Sequence, residues 1–208
     1  MMCTYLAPDE HLQDGALAPD DVLSSCGHPT PLVQICILDD DNQRLPVGAR
    51  GEICVRGDLV TPGYYKQPDV TAKTIVDGWL HTGDVGFIDK QGRVHICDRK
   101  KDMVISGGFN IYPQEIEQVL WSHPSVEDCA VIGVPDDDWG EAVKAVVELK
   151  THARATAAEL MALCKDRLGS LKTPKSVDFI DQLPRSPNGK VLKRDLRATY
   201  WVGHSKAI

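Results

Sequence analysis

An acidic residue between two glycines and an arginine further along the chain could bind a ligand. Asp84 lies in residues 78–86 (GWLHTGDVG), at the end of a predicted turn. A carboxylate in that position can accept two hydrogen bonds from a vicinal diol, as acidic residues do with ribose. Arg99 offers a guanidinium fork that suits a phosphate or a hydroxyl. An aspartate that only hydrogen-bonds the backbone of its own turn explains the same pattern.

A glycine pair in residues 98–117 (DRKKDMVISGGFNIYPQEIE) is a second candidate. Gly107 and Gly108 allow positive φ angles and a close approach of the backbone to a ligand. Ser106 and Asn110 add hydrogen-bonding groups on either side. The same segment is also typical of a β-hairpin loop that leads into a helix, so on its own it does not establish a binding site.

A lysine that directly follows a tight turn is the third candidate. Residues 187–189 (Pro-Asn-Gly) predict the turn, and Lys190 comes next. An ammonium group on a rigid turn can bring a point charge to an anion that develops during a reaction. A solvated lysine beside other basic residues is the alternative.

Composition and charge restrict the classes of protein. The chain has 208 residues, with 23 Lys and Arg against 30 Asp and Glu, which gives a formal net charge of −7. This balance argues against nucleic acid as the main partner. No apolar run approaches the roughly 18 residues of a membrane span, and the start lacks the pattern of a secretory signal. Seven cysteines without metal-ligand spacing favour free thiols in the cytoplasm over disulfides or a metal site.

Two different patterns of elements must position these candidate groups. Apolar and β-branched runs predict strands in the first half, at 32–39, 51–56, 85–88 and 93–97, the last two forming a hairpin. The second half mixes helices, from Pro113, from a capping box at Thr156 and over 192–200, with strands at 128–134, 143–149 and 177–180. The sequence therefore predicts an α+β fold.

The change of pattern falls in the basic cluster near Lys101. We place the predicted domains at 1–98, which is rich in strands, and at 99–208, which is a compact α+β unit.

The motifs, taken in order, resemble those of the adenylate-forming (AMP-binding) superfamily, which includes acyl-CoA synthetases, peptide-synthetase adenylation domains and luciferases. The resemblance covers roughly residues 24–197, and the sequences of the motifs are most similar to those of fatty-acid or aryl-acid CoA ligases. The motifs are GEICVRG, GY, GWLHTGD, DRKKD, SGGFNIYPQEIE and PRSPNGK.

The resemblance implies a reaction in two steps. A carboxylic acid and Mg·ATP give an acyl-adenylate, and coenzyme A then displaces AMP to form an acyl-CoA thioester. The implied substrates are thus a carboxylic acid, ATP with Mg²⁺, and CoA, and no residue of the chain is assigned to a metal.

The resemblance also implies roles for particular residues. Asp84 corresponds to the aspartate that binds the ribose diol, and Arg99 to an arginine that also contacts the nucleotide. Lys190 corresponds to the catalytic lysine of adenylation, which bridges the incoming carboxylate and the α-phosphate. Lys101 falls at the hinge about which the small domain rotates. The loop that enters the site for thioester formation comprises Ser106, Gly107, Gly108 and Asn110, and residues 139–141 (WGE) match a family segment near CoA.

Two motifs of the family do not occur in this sequence, the Ser/Thr/Gly-rich phosphate loop and the Tyr-Gly-x-Thr-Glu element. We therefore expect the chain to be the carboxy-terminal part of such a ligase, with the end of the large AMP-binding domain in 1–98 and the small mobile domain in 99–208, and to be inactive alone. One alternative is an adenylation domain that loads a carrier-protein thiol. The other is a non-catalytic module that binds a nucleotide or a partner. A homo-oligomer and the identity of the acid are left open.

Overall fold

The computed structural model describes residues 3–204, and the chain divides into two compact units, Met1–Lys100 and Lys101–Ile208. Strands dominate the first unit, whereas helices and strands pack together in the second, so the expected α+β class is confirmed. The sequence places its domain boundary after residue 98. That the two units are the end of a large domain and a mobile small domain stays a prediction.

The first unit is built on an antiparallel sheet. The strands of this unit are β1 (Thr4–Tyr5), β2 (Leu12–Gln13), β3 (Ala16–Leu17), β4 (His28–Pro29), β5 (Val33–Leu38), β6 (Gly51–Gly57), β7 (Ile75–Val76), β8 (Trp79–Ile88) and β9 (Val94–Arg99). Two short helices lie between these strands, α1 (Asp20–Leu23) before β4 and α2 (Pro68–Thr74) before β7. The main sheet pairs β5 with β6 and β6 with β8, and β7 and β9 both pair β8. The long strand β8 is therefore the centre of this unit.

Apolar side chains cover both faces of this sheet, because successive residues of a strand point to opposite sides. Cys36 and Cys54 pack with Trp79 on one face. Ile37 packs with Val94 on the other. Burial on both sides holds β8 in a fixed register and makes it a rigid support for a binding group.

The second unit packs helices on both faces of a second sheet. Its elements are β10 (Val104–Ser106), β11 (Phe109–Ile111), α3 (Pro113–Trp121), β12 (Val126–Asp136), β13 (Gly140–Leu149), α4 (Ala157–Leu168), β14 (Ser176–Phe179) and α5 (Lys193–Tyr200). The strand β13 pairs antiparallel with β10 and β12 and parallel with β14. Val131 joins the core under α3 and α4, and the next residue, Ile132, joins the core under α5. The strand β12 is thus buried on both faces, as its continuous apolar sequence requires.

Helix signals in the sequence mark the ends that the structure shows. Helix α3 begins at Pro113. Before α4, Thr156 Oγ1 accepts a hydrogen bond from Glu159 N–H at 3.2 Å, and Glu159 Oε2 accepts one from Thr156 N–H at 2.7 Å. Gly169, with φ +78°, ends that helix. The capping box and its stop are therefore confirmed.

One expectation about a candidate residue is wrong. The sequence places Asp84 at the end of a turn, but Asp84 lies inside β8. Gly83, with φ +72°, belongs to an irregularity of the strand and not to a chain reversal.

Candidate functional site

The predicted site residues fall in both units, and each group is described within its own unit. Asp84 and Arg99 belong to the first unit. The second unit contains Lys101, Ser106, Gly107, Gly108, Asn110 and Lys190.

Asp84 and Arg99 are directly opposite each other on β8 and β9. Arg99 Nε lies 2.9 Å from Asp84 Oδ1 in an ion pair, with a quarter of the Asp84 side chain and more than half of the Arg99 side chain exposed. The carboxylate thus bonds a cation on the neighbouring strand and not the backbone of its own segment. Within residues 3–204, Asp84 Oδ2 accepts no hydrogen bond. An acceptor oxygen and the free end of a guanidinium therefore lie side by side at the surface.

A β-bulge aims Asp84 away from the regular pleat. Glu52 pairs with Val85 but Cys54 pairs with His81, so the single residue Ile53 faces the three residues 82–84. The hydroxyl of Thr82 donates to Ile53 C=O at 2.7 Å and accepts from Asp84 N–H at 3.1 Å. Bulges of this kind redirect a side chain and are common beside functional sites.

A buried glutamate, which was not among the residues predicted from the sequence, bonds the backbone of the bulge. Glu52 is 8% exposed. Its Oε1 accepts from Gly83 N–H at 3.0 Å, and its Oε2 accepts from Lys100 Nζ at 3.1 Å and lies 3.2 Å from His81 Nδ1. An acidic residue directly before the apolar residues 53–55 (ICV) of a predicted strand was the available signal, because a charge is rarely buried without partners.

The two carboxylates of this region, Asp84 and Glu52, have pKa values that are shifted in opposite directions. Burial raises the pKa of Asp84, and the charge of Glu52 adds to that rise while Arg99 opposes it. Burial also acts to raise the pKa of Glu52, but hydrogen bonds from Lys100, His81 and Gly83 outweigh it and hold that pKa below its usual value. Glu52 is thus a structural anion, whereas Asp84 is a partly desolvated acceptor that a ligand can satisfy.

An apolar cavity of about 140 Å³ adjoins Asp84. Aliphatic side chains form most of the wall. They include Ile35, Ile53, Val55, Leu80, Val94 and Ile96.

The glycine pair of the second unit forms the turn between β10 and β11. Gly107 and Gly108 have φ +57° and +81°, which fits the two central positions of a tight hairpin turn. A Cβ at Gly107 would lie 2.4 Å from Trp139 Cε3, and Gly107 N–H donates to Trp139 C=O at 2.9 Å. Ser106 is buried, and Asn110 is exposed. The structure therefore has the β-hairpin that leads into a helix, and a role in CoA binding stays a prediction.

Lys190 closes a five-residue turn and is exposed. Ser186 N–H donates to Lys190 C=O at 2.8 Å, and Gly189 N–H donates to Ser186 C=O at 2.8 Å. Across the part of the chain that the structure describes, the Lys190 ammonium has no ion-pair partner. The turn that the sequence predicts is confirmed, and its lysine is available to an anion from solution.

Lys101 is the first residue of the second unit, and its side chain is exposed. Its backbone carbonyl accepts from Arg197 Nη1 at 2.8 Å, and Arg197 Nη2 lies 2.6 Å from Asp102 Oδ1. The backbone of Lys101 and the side chain of Asp102 are therefore bonded to α5, and a hinge at Lys101 stays a prediction.

Two further observations concern metals and membranes. Within the described range 3–204, no group of three or more His, Cys, Asp or Glu side chains is arranged to hold a metal ion. No helix among these residues is long and apolar enough to cross a membrane.

Comparison with known proteins gives two family matches. A model described as "AMP-binding enzyme C-terminal domain" matches residues 115–190, and one described as "AMP-binding enzyme" matches residues 2–65. The first match lies wholly in the second unit and the other wholly in the first.

Sequence relatives and solved structures agree with these matches. The medium/long-chain-fatty-acid–CoA ligase FadD8 of Mycobacterium tuberculosis is 42% identical over 100% of this chain and 36% of its own length. The fatty acid–[acyl-carrier-protein] ligase ScoC of Streptomyces coeruleorubidus is 41% identical over 98% of this chain and 38% of its own. The o-succinylbenzoate CoA synthetase of Bacillus subtilis, solved with an acyl-adenylate intermediate, superposes with a TM-score of 0.83 at 35% identity, covering 94% of this chain and 38% of that one.

This chain spans little more than a third of the length of these relatives. It is similar to them over nearly all of its own length, and the similarity includes both units. With both family models matched and the adenylate-forming fold shared, the chain belongs to the AMP-binding, adenylate-forming enzyme family.

Proposed function

We propose that this chain works within an ATP-dependent acid–CoA ligase as its carboxy-terminal part. The carboxylate of the acid attacks the α-phosphate of Mg·ATP and releases pyrophosphate, and the thiol of CoA then takes the acyl group and releases AMP. The Asp84–Arg99 pair on the bulged strand carries the proposal, since it has the groups that hold a nucleotide. Relatives that are named CoA ligases support it.

The first unit has the chemistry to bind the ribose of ATP and of the acyl-adenylate. Asp84 Oδ2 has no partner among the described residues, and partial desolvation strengthens a hydrogen bond that it accepts from a hydroxyl. Arg99 pairs with Asp84 through Nε only, which leaves its terminal nitrogens for a hydroxyl or a phosphate. The two side chains can therefore bind adjacent oxygen atoms of one nucleotide.

The second unit has the cation for adenylation. A carboxylate that attacks an α-phosphate brings two anions together, and an ammonium between them lowers the energy of the transition state. Lys190 fits this role because it is exposed, has no ion-pair partner in residues 3–204 and lies on a closed turn. Mg²⁺ enters the proposal only as the ion that ATP carries.

The second half-reaction is assigned to the hairpin and the hinge. Gly108 has no Cβ and nothing within 4 Å of where one would lie, so a narrow pantetheine arm can pass close to the backbone there. Rotation at Lys101 exchanges the turn that carries Lys190 for this hairpin between the two steps. We also propose the cytoplasm as the place of work, because the spacing of the cysteines in the sequence favours free thiols over disulfides.

The thiol acceptor has a second candidate. One relative is named a ligase that loads an acyl-carrier protein, and it is 41% identical to this chain. Both acceptors present a phosphopantetheine thiol, so the same hairpin can serve either. The choice between them is made by assay.

The test fuses the full chain, Met1 to Ile208, to the part of the mycobacterial ligase that it does not cover. Acid-dependent exchange of pyrophosphate with ATP reports adenylation. Thioester formation with CoA, or with holo acyl-carrier protein, reports the second step. An Asp84→Asn variant is compared with Asp69→Asn, whose carboxylate is exposed and unpaired in the described structure.

We expect both activities in the fusion and a large rise of the KM for ATP in Asp84→Asn only. A fusion that melts cooperatively but shows neither activity would contradict the proposal and favour the non-catalytic module. Activity with the carrier protein but not with CoA would assign the alternative acceptor.

A further inference from the structure

The turn that carries Lys190 projects into solvent, and its own hydrogen bonds do not fix where it points. Pro187, Asn188, Gly189 and Lys190 are all exposed. The bonds within the turn join residues 186, 189 and 190 to one another only. A lysine that must meet two anions at one point needs a further support, because a displacement of about 1 Å can reduce a rate about 100-fold.

One side chain joins this turn to the sheet. Arg185 Nη1 donates to Gly189 C=O at 3.1 Å, the carbonyl directly before Lys190. Arg185 Nη2 donates to Asp128 Oδ2 at 2.5 Å and lies 3.6 Å from Glu148 Oε2. The guanidinium therefore bonds the tip of the turn with one nitrogen and the strands β12 and β13 with the other.

Two carboxylates on neighbouring strands of the sheet bind this guanidinium. Asp128 and Glu148 are directly opposite each other on β12 and β13, and like charges in that position repel. Both carboxylates are mostly buried, with side chains 19% and 17% exposed. A cation between them removes the repulsion, and Arg185 is that cation.

Each carboxylate is itself held in place. Trp121 Nε1 donates to Asp128 Oδ1 at 2.9 Å, and the N–H of Cys129 donates to the same oxygen at 2.7 Å. Glu148 Oε2 accepts from Leu183 N–H at 3.0 Å, two residues before Arg185. The two carboxylates are thus fixed to the core of the second unit, and Glu148 also bonds the segment that leads into the turn.

We propose that Arg185 is the positioning residue of Lys190: seated between Asp128 and Glu148, its guanidinium holds the Gly189 carbonyl and so fixes the direction of the catalytic lysine. The inference rests on the proposed function of Lys190 in adenylation. In this proposal Arg185 acts only through the turn that carries Lys190.

The first experiment measures the turn directly and needs no activity. In the full chain, ¹⁵N relaxation gives order parameters for the amides of Gly189 and Lys190. We expect rigid values of about 0.85 in the wild type and a fall below about 0.6 in Arg185→Ala. Arg154→Ala is the matched control, because this arginine is exposed and its side chain has no partner in residues 3–204. Unchanged order parameters in Arg185→Ala would overturn the proposal.

The second experiment measures both half-reactions in the fusion ligase. Arg185→Ala should lower kcat for acid-dependent pyrophosphate exchange by about 10- to 100-fold. Thioester formation from preformed acyl-AMP should stay within about twofold, which a general loss of structure would not allow. Equal losses in the two half-reactions would overturn the proposal.

A double variant and a conservative one separate positioning from other roles. Combining Arg185→Ala with Lys190→Ala should reduce exchange no further than Lys190→Ala alone, because residues that act as a unit are not additive. Arg185→Lys should recover only part of the rate, since an ammonium cannot replace the planar fork that bonds Gly189 and Asp128 together. Undiminished exchange in Lys190→Ala would contradict the proposed function of Lys190 itself, and the order parameters would still decide whether Arg185 holds the turn.

Discussion

Lys100 and Glu52 form an ion pair that joins the last residue of the first unit to the strand beneath Asp84. Lys100 Nζ lies 3.1 Å from Glu52 Oε2, and the other oxygen of Glu52 accepts from Gly83 N–H at 3.0 Å. The same lysine pairs with Asp40 Oδ1 at 2.9 Å. One buried carboxylate therefore fixes both the bulge that presents Asp84 and the residue that precedes the predicted hinge.

Replacing this carboxylate should destabilise the first unit. Glu52→Ala leaves Gly83 N–H without its acceptor and removes the charge that partners Lys100 and His81. We expect a loss of about 1–3 kcal/mol in the free energy of unfolding, measured by urea denaturation. Asp69→Ala, at an exposed site, should change it by less than about 0.5 kcal/mol. Equal stability of the Glu52 and Asp69 variants would contradict this role.

Asp84→Asn should weaken nucleotide binding without destabilising the fold. Because burial raises the pKa of Asp84, the folded state holds a proton more tightly than the unfolded state, and stability from this group falls as pH rises through its pKa. A neutral amide removes that loss, so stability at pH 7 should be equal to or above that of the wild type. Calorimetric titration with AMP should show weaker binding by the full-length variant chain. A variant that is clearly less stable at pH 7 would show that the pair with Arg99 outweighs burial.

Asp89 should make the first unit sensitive to acid. Burial acts to raise its pKa, but hydrogen bonds from Arg93 and His95 and the charge of Arg93 hold the pKa well below the usual value. Its Oδ2 accepts from Arg93 Nε at 2.8 Å and lies 3.1 Å from His95 Nε2. A lowered folded pKa contributes stability that is present above the unfolded pKa, near 4, and is lost as pH falls through the folded pKa. Asp89→Asn should therefore be less stable at pH 7 and show a shallower decline between about pH 5 and pH 2, as measured by urea unfolding.

Local signals explain how much of this fold the sequence could predict. The capping box at Thr156, the stop at Gly169 and the turn before Lys190 depend on neighbours within a few residues, and the structure confirms them. The strands β5, β6, β12 and β13 are predicted because their segments are rich in apolar and β-branched residues.

The bulge under Asp84 and the role of Glu52 depend on pairing between distant residues, so local patterns do not reveal them. Glu52 meets Gly83 and Lys100 only after β6 and β8 have paired with a shifted register. The Asp128–Glu148 pair likewise exists only in the register of β12 and β13. In both cases, the group that positions a candidate residue lies far from it in sequence.

The two glycines of the hairpin should respond differently to alanine. A Cβ at Gly107 would lie 2.4 Å from the Trp139 ring, whereas one at Gly108 has nothing within 4 Å, and both residues have positive φ. Gly108→Ala should cost only the strain of a positive φ, about 1–2 kcal/mol. Gly107→Ala should cost more and should also shift the tryptophan fluorescence, because Trp139 must move. Equal losses in the two variants, with no change in fluorescence, would show that the Trp139 contact does not constrain the hairpin.

The last prediction concerns the hinge. Lys101→Pro fixes φ at that residue, whereas Lys101→Ala removes the side chain and leaves the backbone free. The exposed side chain makes no ion pair within the described residues, and the bond from Arg197 is accepted by the backbone carbonyl, which both variants retain. If rotation at this residue separates the half-reactions, Lys101→Pro in the fusion ligase should lower thioester formation at least about tenfold more than pyrophosphate exchange. Lys101→Ala should leave the ratio of the two rates near that of the wild type. A parallel loss of both rates in Lys101→Pro, at an unchanged melting temperature, would place the pivot elsewhere in the chain.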